Sequence, residues 1–453
     1  SDEKEGIFGF DEVVPKYNDS GLDSGRQINP DDIASLYHTG GTTGTPKLAP
    51  HTHFNEAAMI TIMKLFNVLQ ADQTVLCGLP LFHVNGTVVT GGFPFSIGSH
   101  VVLLSPMGYR DLTVMQNFYK IVEHYKPSFF SCVPTVLSVL LDIPKGNEDI
   151  SSLQFALCGA APLSVELANR FEAHTDMKIL EGYGLTEGTT ASSANPTHGE
   201  RKVGSIGLRL PYNQMKVFVK DTTGVREADV NEIGAICIKG PNVFKGYLDE
   251  SKNTDIWMKE GWFNTGDLGR MDEDGYFWLT GREKDLIIRG GHNIDPAIIE
   301  EPLYGLDGVQ VAAAVGLPDP HAGEVPVAFV QLQQDSDLTP EKILEYLQKE
   351  IGERAAVPKE VFIMDEIPLT LIGKIYKPSL RWDAIKFVYE KDIASLGQLI
   401  ASVAVTVAED KIHGTKARIN VKAGSGYSTA EVEEGVKKAL SRYIIKYELT
   451  IDP

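Results

Sequence analysis

The stretch Tyr37-His38-Thr39-Gly40-Gly41-Thr42-Thr43-Gly44-Thr45-Pro46-Lys47 constrains this chain more than any other part of it. It is a run of glycines and hydroxyl side chains closed by one lysine. Glycine lets the backbone come close to a bulky anion and turn its N–H groups towards it. The threonine hydroxyls add donors and the lysine adds charge, so the stretch suits a polyphosphate. It is not a Walker A loop, which needs Gly-Lys-Ser/Thr in direct succession; here Thr45 and Pro46 separate Gly44 from Lys47. By itself such a run also fits an ordinary flexible loop.

Three further signals follow in order. They are Glu181-Gly182-Tyr183-Gly184-Leu185-Thr186-Glu187; then Gly261-Trp262-Phe263-Asn264-Thr265-Gly266-Asp267 with Gly281-Arg282-Glu283-Lys284-Asp285; then Pro368-Leu369-Thr370-Leu371-Ile372-Gly373-Lys374. In this order, the four resemble the adenylate-forming superfamily of acyl-CoA synthetases, luciferases and the adenylation domains of peptide synthetases. The resemblance runs from Asp31 to about Arg381. The stretch Gly290 to Pro296 is most similar to bacterial fatty-acyl-CoA synthetase-like members. In the superfamily a long portion precedes the phosphate loop. Here the loop begins near residue 38 of a chain that does not start with Met, which reads as a fragment lacking its N-terminal part.

The resemblance implies two half-reactions. A carboxylate attacks the α-phosphate of ATP to give acyl-AMP and pyrophosphate, and a thiol, usually of coenzyme A, then displaces AMP. It also implies roles. Thr39, Gly40, Gly41, Thr42, Thr43, Gly44 and Lys47 would hold the β- and γ-phosphates, with Gly40 where serine is frequent and Leu48 where glycine is. Glu187 would coordinate Mg²⁺, a hard cation that prefers oxygen ligands, and Thr186 would touch the α-phosphate. Tyr183, between Gly182 and Gly184, would stack on adenine, and Gly159, Ala160 and Ala161 would line its other face. Asp267 would accept from the ribose hydroxyls, and Arg282 would add a ribose or phosphate contact.

Lys374 is the expected catalytic lysine, with Lys377 a nearby competitor. Its ammonium would offset charge where the carboxylate meets the α-phosphate. Lys284 occupies the hinge about which a small domain rotates, and Gly290 and Gly291 match the segment lining the thiol tunnel. Asn293 stands where some relatives carry arginine. Leu81-Phe82-His83-Val84 matches the region beside the acyl pocket. Amino-acid-activating members place an aspartate near there, and this chain has none, so a fatty or other apolar acid without an α-amino group is expected. His83 would close the pocket or position the carboxylate; it reads equally as a structural histidine.

At 453 residues the chain exceeds one core. The expected fold is α/β with a β-rich part: a large, truncated AMP-binding domain over 1–280, a hinge at 281–285, a small mobile α/β domain over 286–384 and an appended α+β tail over 385–453. Val101 to Leu104 and Phe129 to Val133 read as buried strands, with a helix from Met115 to Tyr125 between them. Met215 to Val219 and Ala235 to Ile238 read as strands of the β-rich part. In the small domain Asp295-Pro296 and Thr339-Pro340 open helices, and Val311 to Gly316 and Val327 to Leu332 read as strands. In the tail, Val403 to Val407 and Ala417 to Val421 are strand-like. Ser428 to Glu431 form a capping box before a helix with Val432, Val436, Leu440, Tyr443 and Ile444 on one face. Extra packing against the small domain is its simplest use.

The net charge of −19 excludes nucleic acid as the main partner. The anionic substrates therefore require positive charge gathered locally. Four separated cysteines with no Cys-x-x-Cys pair suggest reduced thiols and a cytoplasmic protein. No apolar run reaches the roughly 18 residues of a transmembrane segment, and the start, Ser1 to Gly6, reads as no signal peptide. Two other readings stay open: an acyl-AMP ligase loading a carrier protein, and a non-catalytic nucleotide-binding fragment.

Overall fold

The computed structural model describes residues 14–16, 25–39, 47–66, 69–222, 224–282, 285–290, 292–371, 373–410, 414–443 and 445–452. Its centre is a sheet in the order His100–Leu103, Thr74–Cys77, Phe129–Cys132, Phe155–Cys158, Lys178–Tyr183, Ser193–Ala194, Leu208–Arg209. The first five strands are parallel and the last two antiparallel. Short, mostly apolar runs such as Phe129–Cys132 are buried along their whole length, as strands covered on both faces must be. Helices Pro134–Asp142 and Val165–Thr175 are the crossovers. The first starts on a proline, whose missing N–H costs nothing in a first turn. The second is capped by Ser164, which accepts from the Leu167 amide at 3.3 Å. Gly159 and Gly182–Gly184 thus fall at the carboxyl ends of neighbouring strands, where open α/β sheets bind ligands.

The strands expected near 101 and 129 are present as His100–Leu103 and Phe129–Cys132. The helix expected over 115–125 is two helices, Leu112–Gln116 and Phe118–Tyr125. Asn117 between them leaves the helical region at φ −107°, ψ 14°, and Asp111 caps the first from the Thr113 amide at 2.9 Å.

The β-rich part is an antiparallel sheet in which Gln214–Asp221, Gly234–Lys239 and Trp262–Met271 lie side by side. Phe277–Arg282 pairs with Trp262–Met271 in a register that sets the Arg282 backbone opposite Asp267. In the small domain the hairpin Val309–Asp319 with Gly323–Leu332 is flanked by Val361–Met364 and by Ile287–Arg289. Helix Ala297–Tyr304 follows Asp295-Pro296, and the Ala297 amide donates to Asp295 Oδ1 at 2.9 Å. Helix Pro340–Glu350 is capped by Thr339.

Helix Lys377–Ala394 runs unbroken through the 384/385 boundary drawn from the sequence. One face of it, through Leu380, Ala384, Ile385, Val388, Tyr389 and Ile393, is buried on both sides of that position. The tail strands Ile400–Asp410, Gly414–Ala423 and Lys446–Asp452 form their own sheet. Yet Val405, Ile419, Val436 and Leu440 share one apolar core with Val311, Val315 and Phe329 of the small domain. The capping box at Ser428 and Glu431 is present. Its helix, Thr429–Leu440, stops before Tyr443, which packs on the same core from beyond the helix end; Ile444 lies outside the described residues.

A shared core makes the tail and the small domain one cooperative unit. Ile419→Ala is expected to lower its unfolding free energy by about 2–5 kcal/mol. Hydrogen exchange should then rise together in peptides from Val309–Asp319 and from Gly414–Ala423. Loss of protection in the tail alone would show two separate units.

Candidate active site

Thr39 and Lys47 face each other as the last paired residues of the hairpin Ile33–Thr39 with Lys47–Thr52. Gly40, Gly41, Thr42, Thr43 and Gly44, the body of the expected phosphate loop, lie outside the described residues. The Lys47 ammonium sits 4.5 Å from the centre of the Tyr247 ring, within cation–π range. The Tyr247 hydroxyl donates to Glu187 Oε1 at 2.6 Å. Burial first, then the Glu187 charge, holds the Tyr247 phenol protonated far above its ordinary pKa. Lys47, Tyr247 and Glu187 therefore form one chain of contacts from the hairpin to the Thr186–Glu187 turn. That turn is held from below by buried His51, whose Nε2 lies 2.7 Å from the Thr186 carbonyl.

A second phenol–carboxylate pair stands beside it: the Tyr183 hydroxyl donates to Asp267 Oδ2 at 2.6 Å, with both residues buried. The turn between the two pairs is forced. A Cβ on Gly184 would lie 1.5 Å from the Thr190 carbonyl oxygen, so only glycine fits. Thr189 and Thr190 take positive φ, 52° and 111°, conformations that persist in a β-branched residue only when the surroundings over-determine them. Thr189 is pinned by its hydroxyl bond to the Asn242 carbonyl at 2.6 Å. Gly159 packs against Gly182 in the same close manner, and Ala160 has φ 69°. Gly159, Ala160 and Ala161 thus face the Gly182–Gly184 segment across the ends of adjacent strands.

A third segment carries His83. Its Nδ1 accepts from the Asn85 amide at 3.3 Å, which leaves the ring proton on Nε2. Burial, then the positive charge of Lys374, then His38 push its pKa down to about 4. His38 stacks on Phe82 with ring centres 5.7 Å apart. The Tyr37 hydroxyl meets Thr87 Oγ1 at 2.7 Å on the π-helix Asn85–Gly92, a helix type often found at functional sites. Lys374 comes from the small domain. It is delivered by a tight loop in which the Thr370 amide donates to the Lys374 carbonyl at 2.6 Å. The Thr135 hydroxyl of the large domain clamps the neighbouring Gly373 carbonyl at 2.8 Å.

The structure therefore sets Thr39 opposite Lys47, links Lys47 to Glu187 through Tyr247, pairs Tyr183 with Asp267, packs Gly159 on Gly182 and puts the Lys374 charge within electrostatic reach of His83. Arg282 is placed by its backbone, opposite Asp267. Gly290 makes the turn between Ile287–Arg289 and His292–Ile294 with φ 57°. Gly291 and Lys284 lie outside the described residues. Tyr247, His51 and Glu181 were not singled out from the sequence. Tyr247 lies between the β-rich strands with no motif around it, and His51 is one of 11 histidines. Glu181 stands inside a motif, but its environment is what marks it. Its carboxyl is buried, with Oε1 accepting weakly from the Leu163 amide at 3.4 Å and Oε2 without a partner among the described residues. Burial pushes its pKa up to about 8; the Leu163 amide opposes this and the Glu301 charge adds to it.

Residues 5–248 match the AMP-binding enzyme family, and residues 299–374 match the AMP-binding enzyme C-terminal domain. The chain is 41% identical to the marinolic acid–CoA ligase of Pseudoalteromonas sp. over 93% of its length and 64% of that protein. It is 36% identical to the long-chain-fatty-acid–CoA ligase of Bacillus subtilis over 78% of its length and 62% of that protein. The chain thus spans somewhat less than two thirds of these two relatives. Among solved structures, ATP-bound MatB from Rhodopseudomonas palustris superposes with a TM-score of 0.70 at 30% identity, over 78% of this chain and 68% of that one.

The Glu181 environment has a direct consequence for stability. A carboxyl with a folded pKa near 8 keeps its proton where the unfolded chain has lost it, so its contribution to stability falls as pH rises from about 4.5 to about 8. Glu181→Gln, which cannot ionise, is expected to raise Tm by several degrees at pH 8.5 and to leave it nearly unchanged at pH 5. Equal Tm changes at both pH values would place the Glu181 titration elsewhere.

Proposed function

The chain belongs to the AMP-binding enzyme family, and we propose that it is an ATP- and Mg²⁺-dependent acid–thiol ligase that turns a fatty or other apolar carboxylic acid into its acyl-CoA thioester. The observation that carries this reading is the placement of Lys374. Its charge acts on His83 and its loop is held to the large domain by the Thr135 hydroxyl, in a chain that also links Lys47 to Glu187 through Tyr247 and pairs Tyr183 with Asp267.

In the first step a carboxylate oxygen attacks the α-phosphorus and the bond to the bridging oxygen breaks, releasing pyrophosphate. An anion must approach a polyanion, so the chemistry depends on cations aimed at the charge that develops. Lys374 supplies one from the small domain and Lys47 another from the hairpin, with Thr39, Thr186 and the residues 40–44 as further phosphate donors. Tyr183 and Gly159 to Ala161 would enclose the adenine, and Asp267 with Arg282 the ribose. Glu187 fits Mg²⁺: one carboxylate oxygen is fixed by Tyr247, and no cluster of three or more acidic, histidine or cysteine ligands exists among the described residues. That suits an ion shared with phosphate oxygens rather than caged by protein. When bound, the ion would neutralise phosphate charge. His83, held neutral, can donate from Nε2 to the substrate carboxylate without competing for the phosphate.

In the second step a thiol sulfur attacks the acyl carbon, the bond to the phosphate oxygen breaks, AMP leaves and the thiol proton passes to solvent. We assign Lys284, within 281–285, as the hinge for this exchange, Gly290 and Gly291 as the thiol channel, and coenzyme A as the acceptor. The Bacillus and Pseudoalteromonas relatives are both named as CoA ligases, one for long-chain fatty acids. Phe82, His83 and Val84 offer no carboxylate for an ammonium group, which supports an apolar acid. All four cysteines are buried and unpaired, and among the described residues no helix is long and apolar enough to cross a membrane; both support a cytoplasmic setting.

Lys374→Ala is expected to cut acyl-AMP formation on the order of 10²-fold or more. Thioester formation from supplied acyl-AMP should fall much less. Pyrophosphate release and thioester formation, followed separately over a panel of acids, measure both. Equal losses in the two steps would remove Lys374 from the adenylation chemistry, and no pyrophosphate release with any acid would remove the function.

A further inference from the structure

Lys374 is useful only if the small domain docks in one register, and the contact that fixes this register lies away from the cleft. Helix Val165–Thr175 of the large domain begins with amides that have no partner inside the helix. Ser164 takes one of them, from Leu167. The Val165 amide instead points to Glu301 of the small domain, with both carboxylate oxygens at 3.2 Å. The Ser164 hydroxyl donates to the same carboxylate at 3.0 Å. A side chain from one domain therefore completes the N-terminal cap of a helix in the other, where a negative charge is also favoured by the helix dipole.

The adjacent residue makes the complementary link. Glu300 pairs with Lys377 at 2.7 Å, both side chains less than a fifth exposed, and accepts from the Ala314 amide at 2.8 Å. Lys377 is three residues past Lys374 and opens the helix that ends the catalytic loop. Helix Ala297–Tyr304 thus grips the loop through Glu300 and the large domain through Glu301. Other contacts across the interface are neutral or exposed, apart from one long bond from Arg170. The Ser138 hydroxyl meets the Gln310 carbonyl at 2.6 Å, Asp142 accepts from Gln310 and Gln333, and Arg170 reaches the Tyr304 carbonyl at 3.4 Å. Glu301 differs from these because it is a half-buried carboxylate held by two donors of the large domain, the Ser164 hydroxyl and the Val165 amide. Any misregistered docking would leave it desolvated without donors, which is costly, whereas neutral contacts tolerate sliding.

We infer that Glu301 is a positioning residue: by capping helix Val165–Thr175 it selects the arrangement of the small domain that places Lys374 for acyl-AMP formation, and it takes no part in thioester transfer. This rests on the adenylation reading above. It predicts a split between the half-reactions that a merely structural residue would not produce.

The test uses Glu301→Ala and Glu301→Gln in the full-length protein, with ATP, Mg²⁺ and dodecanoate for pyrophosphate release, and dodecanoyl-AMP with coenzyme A for thioester formation. Glu301→Ala is expected to lower the kcat of pyrophosphate release about five- to tenfold, as for loss of a charged cap, with the KM for ATP little changed. Glu301→Gln keeps an acceptor oxygen and should recover part of that loss. Thioester formation should stay within about twofold of the parent for both. Exchange of the Val165 amide should be faster in Glu301→Ala, and this readout is independent of activity. Equal losses in both half-reactions, or none in pyrophosphate release, would overturn the proposal. If the parent protein released no pyrophosphate with dodecanoate or any other acid, the functional reading would fail by itself. Glu301 would then be judged on Val165 exchange, and an unchanged rate there would remove the docking contact as well.

Discussion

The docking of the small domain against helices Pro134–Asp142 and Val165–Thr175 is the contact on which the rest of the site depends. Through it the loop carrying Lys374 is bonded to the large domain. The contact is polar and specific rather than broad and greasy: hydroxyls of Thr135, Ser138 and Ser164 each find a carbonyl or carboxylate on the other side. Such an interface holds one geometry well and can be released without exposing an apolar core. Those two properties are what an enzyme with two half-reactions needs from one domain.

The large domain supplies the complementary rigidity. Two phenols, Tyr183 and Tyr247, each hold a carboxylate at 2.6 Å, so Asp267 and Glu187 are oriented before any nucleotide arrives. The turn between them stores strain at Thr189 and Thr190, and that strain is kept by the close packing of Gly184 and by Asn242. Preorganised donors and acceptors do not have to reorganise during the reaction, which is where such sites gain most. The overall charge of −19 would work against binding an anionic nucleotide. In the proposed reading Lys47 and Lys374 would supply the local positive charge that the phosphates need.

Much of this was legible in the sequence, because the residues that would meet the nucleotide sit in short runs with glycine at fixed places. Tyr183, Glu187, Asp267 and Lys374 were singled out that way, and the structure pairs Tyr183 with Asp267 from segments far apart in the chain. The supporting residues were not legible. Tyr247, His51, Glu181 and Glu301 act through partners far away in the chain, and nothing local distinguishes Glu301 from the other acidic residues of a strongly acidic protein. Secondary structure showed the same division. The capping box at Ser428 and the apolar strands were plain. The break at Asn117 and the continuity of helix Lys377–Ala394 across 384/385 depend on tertiary packing, which overrides local pattern. The phosphate loop over 40–46, Lys284 and Gly291 lie outside the described residues, so their roles stand on the sequence resemblance.

The central claim is that the docked small domain brings the Lys374 charge within electrostatic reach of His83. The titration of His83 measures this most directly, since burial and the Lys374 charge together push its pKa down to about 4. In protein with ¹³C-labelled histidine, assigned by His83→Gln, the His83 ring signal should titrate near pH 4 instead of near 6.5. In Lys374→Ala the midpoint should move up, because one of the two principal causes is gone while burial remains. A midpoint near 4 that did not move in Lys374→Ala, or one near 6.5 in the parent protein, would contradict the placement of Lys374 near His83.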